Sequence, residues 1–212
     1  MKVKLIDHMG SDLSVVNAAR VSFANHHHTF DIDNDTKLIN YLAKHNHWSP
    51  FGHASLQFHI KAPVFVARQL VKHQIGLTWN EMSRRYVDDE PEFYIPDTWR
   101  GSAENKKQGS SDKSININSR ERLVDEYQST LRRAKWTYEY LIRLGVCPEQ
   151  ARMVLPQAMM TEWYWSGTLY AFSRVCNLRC KPDAQLETQF IANQIDELTE
   201  ELFPVSWKAL RT

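Results

Sequence analysis

The stretch ASLQFHIKAPVFVARQLVKHQIG, residues 54–76, changes hydrophobic period at a single proline. Before Pro63, Leu56, Phe58 and Ile60 alternate with Gln57, His59 and Lys61, the two-residue period of a strand buried on one face. After it, Phe65 or Val66, Leu70 and Val71 recur at helical spacing, and Gly76 is the expected stop. Proline suits the first turn of a helix, where its missing N–H would have no partner anyway. The segment therefore requires a fold that contains both strands and helices.

The rest of the chain reads outward from there. KVKLI, residues 2–6, is expected to be a short edge strand, and 11–23 a helix starting at Ser11 or Asp12 with Leu13, Val16 and Ala19 inward. Residues 24–35 are polar and expected as loop; 36–50 places Leu38, Ile39 and Leu42 on a helix that ends before Pro50. Residues 77–90 lack clear periodicity, and 90–96 reads as a short extended piece. A long helix carries Leu123, Tyr127, Leu131, Ala134, Tyr138 and Leu141 inward and stops near Gly145, and 147–156 is a Pro-initiated turn of helix. Residues 159–179 read as strand then helix, with ambiguous periodicity. The last helix, 183–203, is expected to turn Leu186, Phe190, Ile195, Leu198 and Leu202 inward. Residues 101–119, rich in Ser, Asn, Lys and Gly, are expected to form a mobile surface loop. The expected fold is α+β: one domain over 1–212, mostly helical, with a small antiparallel sheet packed on long helices.

Composition narrows the function classes. With 26 Lys and Arg against 25 Asp and Glu, the chain has no basic excess of the kind a general nucleic-acid binder carries, so any anion site must be a local cluster. Three cysteines, Cys147, Cys176 and Cys180, are too few and odd in number for a disulfide framework. Lys2 and Lys4 are followed by Asp7 and His8 rather than by an apolar run, so no signal peptide is read, and no stretch reaches the roughly 18 apolar residues of a membrane span. A cytoplasmic protein is expected.

The local cluster is KHQIGLTWNEMSRRY, residues 72–86. Lys72, His73, Arg84 and Arg85, with Arg68 just before, gather cations around one carboxylate, Glu81. A solvated turn after a helix would explain most clusters of this kind. Against that stand Trp79, Met82 and Tyr86, interleaved with the charges, which suggest partial burial. A glutamate among arginines is usually positioned by them, leaving guanidinium donors for a phosphate. The histidines point to no metal: His26, His27 and His28 are consecutive and diverge, and His45, His47 and His53 lack a chelating motif.

NEMSRRY, preceded by FVARQLVKHQ, resembles the signature of the flavin-dependent thymidylate synthases (ThyX). DLSVVNAARVSF, LINYLAKHNHWSPFGH, FHIKAPVFVARQ, EFYIP, ARMVLP and CNLR are similar to that family's segments in the same order, over most of the chain. The resemblance implies an α+β enzyme that makes dTMP from dUMP, with methylenetetrahydrofolate as one-carbon donor and FAD reduced by NADPH. It implies homotetramers whose active sites draw on several chains, and no cysteine nucleophile. It also implies residue roles. Gln69, Glu81, Met82, Ser83, Arg84 and Arg85 fall where the family holds dUMP, with Arg85 the best phosphate ligand. Arg152 matches a further nucleotide-binding arginine. Arg179 matches the catalytic arginine that contacts the pyrimidine and favours its N3-deprotonated form. Lys72, His73 and Gln74 match the flavin-binding Arg-His-Arg. Ser22, His47, Ser49 and Asn80 match flavin-side or folate-side positions, Glu81 being shared with that side. Read alone, Arg152 would be a surface ion pair and Arg179 a charge at a helix end.

The chain departs from that pattern. Lys72-His73-Gln74 replaces Arg-His-Arg, and eight residues rather than seven separate it from Ser83. Gly52 stands where a glutamate is common. Thr168, Tyr170, Arg174 and Asp183 stand where the family often has Asn, Arg, Asn and His at the flavin. Two other readings stay open: a diverged enzyme that hydroxymethylates a pyrimidine nucleotide, and a non-catalytic nucleotide- or RNA-binding protein on the same scaffold.

Overall fold

Two antiparallel strands at the centre of the sheet, β2 (Ser55–Pro63) and β6 (Met160–Thr168), organise the molecule. The computed structural model describes residues 1–103, 110–115 and 120–211. Every residue of β2 pairs with one of β6, from Ser55 opposite Thr168 to Pro63 opposite Met160. β1 (Lys2–Met9) flanks β2, with a bulge between Leu5 and Asp7, and β3 (Leu77–Glu81) flanks β6, so the order is β1-β2-β6-β3.

The alternation explains the sheet's buried face. Leu56, Phe58 and Ile60 of β2 and Trp163 and Trp165 of β6 all point into the core. Phe58 and Trp165, directly opposite one another, both pack edge-on against Phe172 of α6 (Leu169–Arg179), at 5.1 and 5.3 Å between ring centres. Fully burying a side chain such as Phe58 or Ile60 contributes about 1.5–3 kcal/mol. Trp79 of β3 stacks on Trp163, 4.4 Å away and nearly parallel. One continuous core runs from Val3 to Leu210.

Helices cover that face. α1 (Asp12–Arg20) starts at Ser11 through a capping box with Ser14, and buries Val15 and Val16. Its Asp12 carboxylate, itself buried, accepts from the Val205 and Ser206 amides at 3.0 and 2.8 Å and so caps α8 (Pro204–Leu210). α2 (Ile32–Lys44) begins inside the segment expected as loop, because Asp31 accepts from the Asp33 and Asn34 amides and starts the helix early. α3 (Val64–Leu70) is shorter than the helix expected to Gly76. α7 (Leu186–Leu202) turns Thr188, Ile191, Ala192, Ile195 and Thr199 inward, whereas Leu186 and Phe190, expected inside, are about half exposed.

β3 lies where the sequence showed no periodicity, and its strand character comes from pairing with β6. β4 (Arg100–Ser102) and β5 (Ser110–Ser114) pair antiparallel inside the segment expected as a loop. The rest of that expectation falls largely on 104–109 and 116–119, outside the described residues. α4 (Arg120–Arg143) buries Leu131 and Tyr138, while Leu123, Tyr127, Ala134 and Leu141 are partly covered. α5 (Pro148–Ala151) is the expected proline-started turn.

Gly167 sets how closely β3 approaches. It pairs with Leu77, and a Cβ there would lie 2.6 Å from the Gly76 carbonyl oxygen and closer still to Leu77 Cδ2. Gly76 itself needs a left-handed φ of 76° to turn the chain into β3. We expect Gly167→Ala to cost about 1–3 kcal/mol through this overpacking, read as a lowered urea midpoint. An unchanged midpoint would mean that the β3–β6 contact yields without cost.

Candidate active site

The candidate site forms where the C-terminal ends of α3 and α6 meet. Beyond Leu70 the chain turns through Lys72, His73 and Gln74, with the His73 amide bonded to the Leu70 carbonyl at 3.0 Å and the Leu77 amide to the Gln74 carbonyl at 3.2 Å. α6 starts at Thr168, whose hydroxyl accepts from the Ala171 amide at 3.1 Å, and ends at Arg179. Arg179 Nε donates to His73 Nε2 at 3.0 Å.

That bond defines the protonation of His73. A ring nitrogen that accepts carries no proton, so the imidazole is neutral. Burial, reinforced by Arg179 and then Arg174, pushes the His73 pKa from 6.5 down to about 4. Burial also lowers the pKa of Arg179, but a guanidinium stays charged at any physiological pH. Among the described residues no carboxylate pairs with Arg179. It therefore offers an unneutralised positive charge.

The bond links a residue that lines one cavity to a residue that lines another. Gln69, Arg179, Arg100, Ser110, Asp183 and Gln185 face the first, of about 550 Å³. Lys72, His73, Gln74 and Arg174, with Leu77 and Ala171, line the second, of about 290 Å³. The structure thus brings together Gln69, Lys72, His73, Gln74, Arg174 and Arg179 of the residues singled out from the sequence.

The Glu81 end is arranged differently from the expectation. Glu81 is not held by arginines: it accepts from Thr161 Oγ1 at 2.8 Å and from Trp79 Nε1 at 3.1 Å. The β3–β6 register, unseen in the sequence, brings Thr161 to it. Arg84 is buried and bonded to the Asp89 carbonyl, so it holds its own turn rather than facing solvent. Arg85 is exposed, its guanidinium 5.0 Å from the Tyr86 ring and its amide and Nε turned to Ser83 Oγ at 3.3 and 3.4 Å. Met82 is tied to β6 through its amide, 2.9 Å from the Glu162 carbonyl. Asn80 is exposed on β3, and Arg152, also exposed, donates from Nε to the Glu149 carbonyl at 3.3 Å.

Other expected residues lie apart from both cavities. Ser22, in the turn after α1, His47, after α2, and Ser49 are all exposed. Tyr170 is half-buried, its ring 6.2 Å from that of Trp48. Among the described residues no three His, Cys, Asp or Glu side chains are placed to hold a metal.

The sequence reading missed Arg100, Gln185 and Glu187. Arg100 Nη2 donates to both carboxylate oxygens of buried Glu187, at 2.8 and 3.0 Å, and its Nε to Ser110 Oγ at 2.7 Å. The two charges are 87 residues apart, so no local pattern could have announced the pair.

Comparison with known proteins identifies the family. Residues 4–205 match the family model described as thymidylate synthase complementing protein. Flavin-dependent thymidylate synthases of Thermus thermophilus and Thermosipho africanus are 38% and 37% identical to the chain, over 98% of it and over 74% and 89% of their own lengths. The chain belongs to the flavin-dependent thymidylate synthase family. Among solved structures it is similar to a UMP/dUMP methylase, PolB, from Streptomyces cacaoi bound with 5-Br dUMP. The TM-score is 0.87 and the identity 31%, over 98% of this chain and 93% of the other. The same methylase bound with 5-Br UMP matches with a TM-score of 0.86 and 30% identity, over 98% and 92%.

The family name implies a flavin, and the second cavity fits an anionic, partly apolar group of that kind. Lys72 and Arg174 supply cations, His73 a neutral ring, and Leu77 and Ala171 an apolar wall.

The depressed His73 pKa sets a stability window. Between pH 4 and 6.5 the unfolded chain takes up a proton at His73 that the folded chain refuses, so stability rises with pH across that window and is lost as pH falls through it. His73→Gln keeps an acceptor for Arg179 but cannot titrate. We expect its urea midpoint to fall less than that of the wild type between pH 6.5 and 4; parallel curves would show that His73 is not held neutral.

Proposed function

We propose that the chain makes dTMP from dUMP, with FAD as its flavin, methylenetetrahydrofolate as one-carbon donor and NADPH as reductant. The observation that carries this reading is Arg179, which lines the first cavity, is held by neutral His73 of the second and has no carboxylate pair among the described residues. A pyrimidine in the first cavity and a flavin in the second would flank that bond. Bound flavin supplies the hydride. Arg179 stabilises negative charge on the pyrimidine ring as it loses its N3 proton, an interaction stronger in the transition state than in the ground state. Gln69 contacts the base. Lys72, His73, Gln74 and Arg174 hold the flavin. The reading needs no cysteine nucleophile, and none of the three cysteines lines either cavity.

The outward-facing residues support assembly as a homotetramer with shared sites. Arg85, Arg152, Ser22, His47 and Ser49 are exposed, and none of them lines either cavity. In our reading they complete the phosphate, flavin and folate contacts of sites shared between subunits. The exposed Trp136, Tyr140 and Leu144 of the α4 region supply apolar surface that assembly would cover. Residues 1–212 then act as one catalytic domain, working in the cytoplasm without a specific nucleic-acid partner. No helix among the described residues is long and apolar enough to cross a membrane.

Family membership favours this reading over hydroxymethylation and over a non-catalytic binder. The similarity to a methylase bound with 5-Br UMP makes UMP the second substrate to assay. Product analysis with dUMP or UMP, methylenetetrahydrofolate, NADPH and FAD tests the proposal, a 5-methylated nucleotide being the expected product; unchanged nucleotide, or a hydroxymethylated one, would overturn it.

Losing a charge-assisted phosphate contact costs about 1.5–3 kcal/mol. Arg85→Ala should therefore raise the KM for dUMP roughly ten- to a hundredfold, whereas Arg179→Ala should lower kcat as well. An unchanged KM in Arg85→Ala would remove Arg85 from the phosphate site. Light scattering at micromolar concentration should give four times the 24.8 kDa chain mass. Mixed Arg85→Ala and Arg179→Ala subunits should recover part of the activity that each lacks alone; a monomer would rule out shared sites.

A further inference from the structure

Gln69 belongs to a relay of side chains whose polarity one buried carboxylate dictates. Glu187, at the start of α7, is an acceptor only, and Arg100 Nη2 occupies both its oxygens. Gln185 can face it only through its amino group, and does, with Nε2 3.0 Å from Glu187 Oε2. That orientation turns the Gln185 carbonyl toward Gln69, so Gln69 must present its own amino group, and its Nε2 donates to Gln185 Oε1. At the far end the Gln69 carbonyl accepts from Thr188 Oγ1 at 3.1 Å. A hydroxyl both donates and accepts, so Thr188 would tolerate either orientation of the Gln69 amide. Glu187, through Gln185, is the group that decides between them.

The consequence concerns the ligand. Thr188 is fully buried in the core, whereas Gln185 and Gln69 face the first cavity. The Gln69 amide therefore turns its carbonyl inward and its amino group, with a second N–H, to the cavity side. We propose that Arg100, Glu187 and Gln185 are positioning residues that hold Gln69 as a hydrogen-bond donor, and that this selects a uracil carbonyl oxygen against the amino group of cytosine. This deepens, and rests on, the reading of the cavity as a dUMP site. Uracil and cytosine differ at C4 in just this way, an acceptor oxygen against a donor amine. A site that opposes donor to donor leaves both groups unpaired, which discriminates more strongly than a difference in size.

Glu187→Gln tests it because Arg100, which has only donors, would hold the new amide by its oxygen. The amide nitrogen would then face Gln185, and the relay would reverse, bringing the Gln69 carbonyl to the cavity side. Binding of dUMP and dCMP to the purified protein, measured by titration calorimetry, reads the outcome. The wild type should prefer dUMP, and in Glu187→Gln the ratio of the dCMP to the dUMP dissociation constant should fall at least tenfold. Gln185→Leu interrupts the relay while leaving the Arg100–Glu187 pair intact; its ratio should fall too, and it decides the matter if Glu187→Gln does not fold. An unchanged ratio, or parallel weakening of both nucleotides, would reduce the relay to structural support and overturn the inference. A wild type that binds neither nucleotide would instead overturn the dUMP reading itself, and the inference with it.

Discussion

The full-length pairing of β2 with β6 is the constraint on which the site depends. Each strand passes directly into a helix, β2 into α3 at Val64 and β6 into α6 at Leu169. Because the strands are antiparallel, the two helices start from opposite ends of the pair, and their C-terminal ends converge. Arg179 and His73 meet there, 106 residues apart in sequence. Proline at the end of β2 and the Thr168 cap at the end of β6 make both transitions abrupt. A loop at either junction would uncouple helix position from strand register and with it the geometry of the junction.

Electrostatics at that junction separate two kinds of cation. Arg179 is half-buried and bonded to a neutral imidazole, so its charge is neither solvated fully nor paired. Such a charge is costly to hold, and a desolvated cation in a cavity is a mark of a functional site. Arg100 is also partly buried but is matched by Glu187, and the pair serves to order its neighbours. A chain of almost no net charge thus concentrates positive potential locally, at a half-buried arginine with no carboxylate pair among the described residues.

Much of this was legible in the sequence. Alternation exposed β2 because one face of it is buried and the other is not, and the switch at Pro63 placed α3. The order of family-like segments singled out Gln69, His73 and Arg179, which line the two cavities. β3 stayed hidden because its alternation is short: only Leu77 and Trp79 pack on the core against exposed Thr78 and Asn80, and β6 supplies the ladder that makes it a strand. Leu186 and Phe190 satisfied helical spacing yet lie outside, since spacing defines a face but not what covers it. Arg84 and Arg85 are adjacent and chemically identical, and only the turn to Asp89 sends one inward and leaves the other at the surface.

The sequence by itself determined the fold class, the central strand, the positions of the main helices and the family, because these follow from local periodicity, capping chemistry and ordered short motifs. The tertiary structure alone decided that Glu187 neutralises Arg100, that Arg179 meets neutral His73, and which way the Gln69 amide faces. Those properties depend on pairs brought together from 87 to 119 residues apart. A local pattern holds no information about such pairs; they exist only once strand register has set where each helix ends.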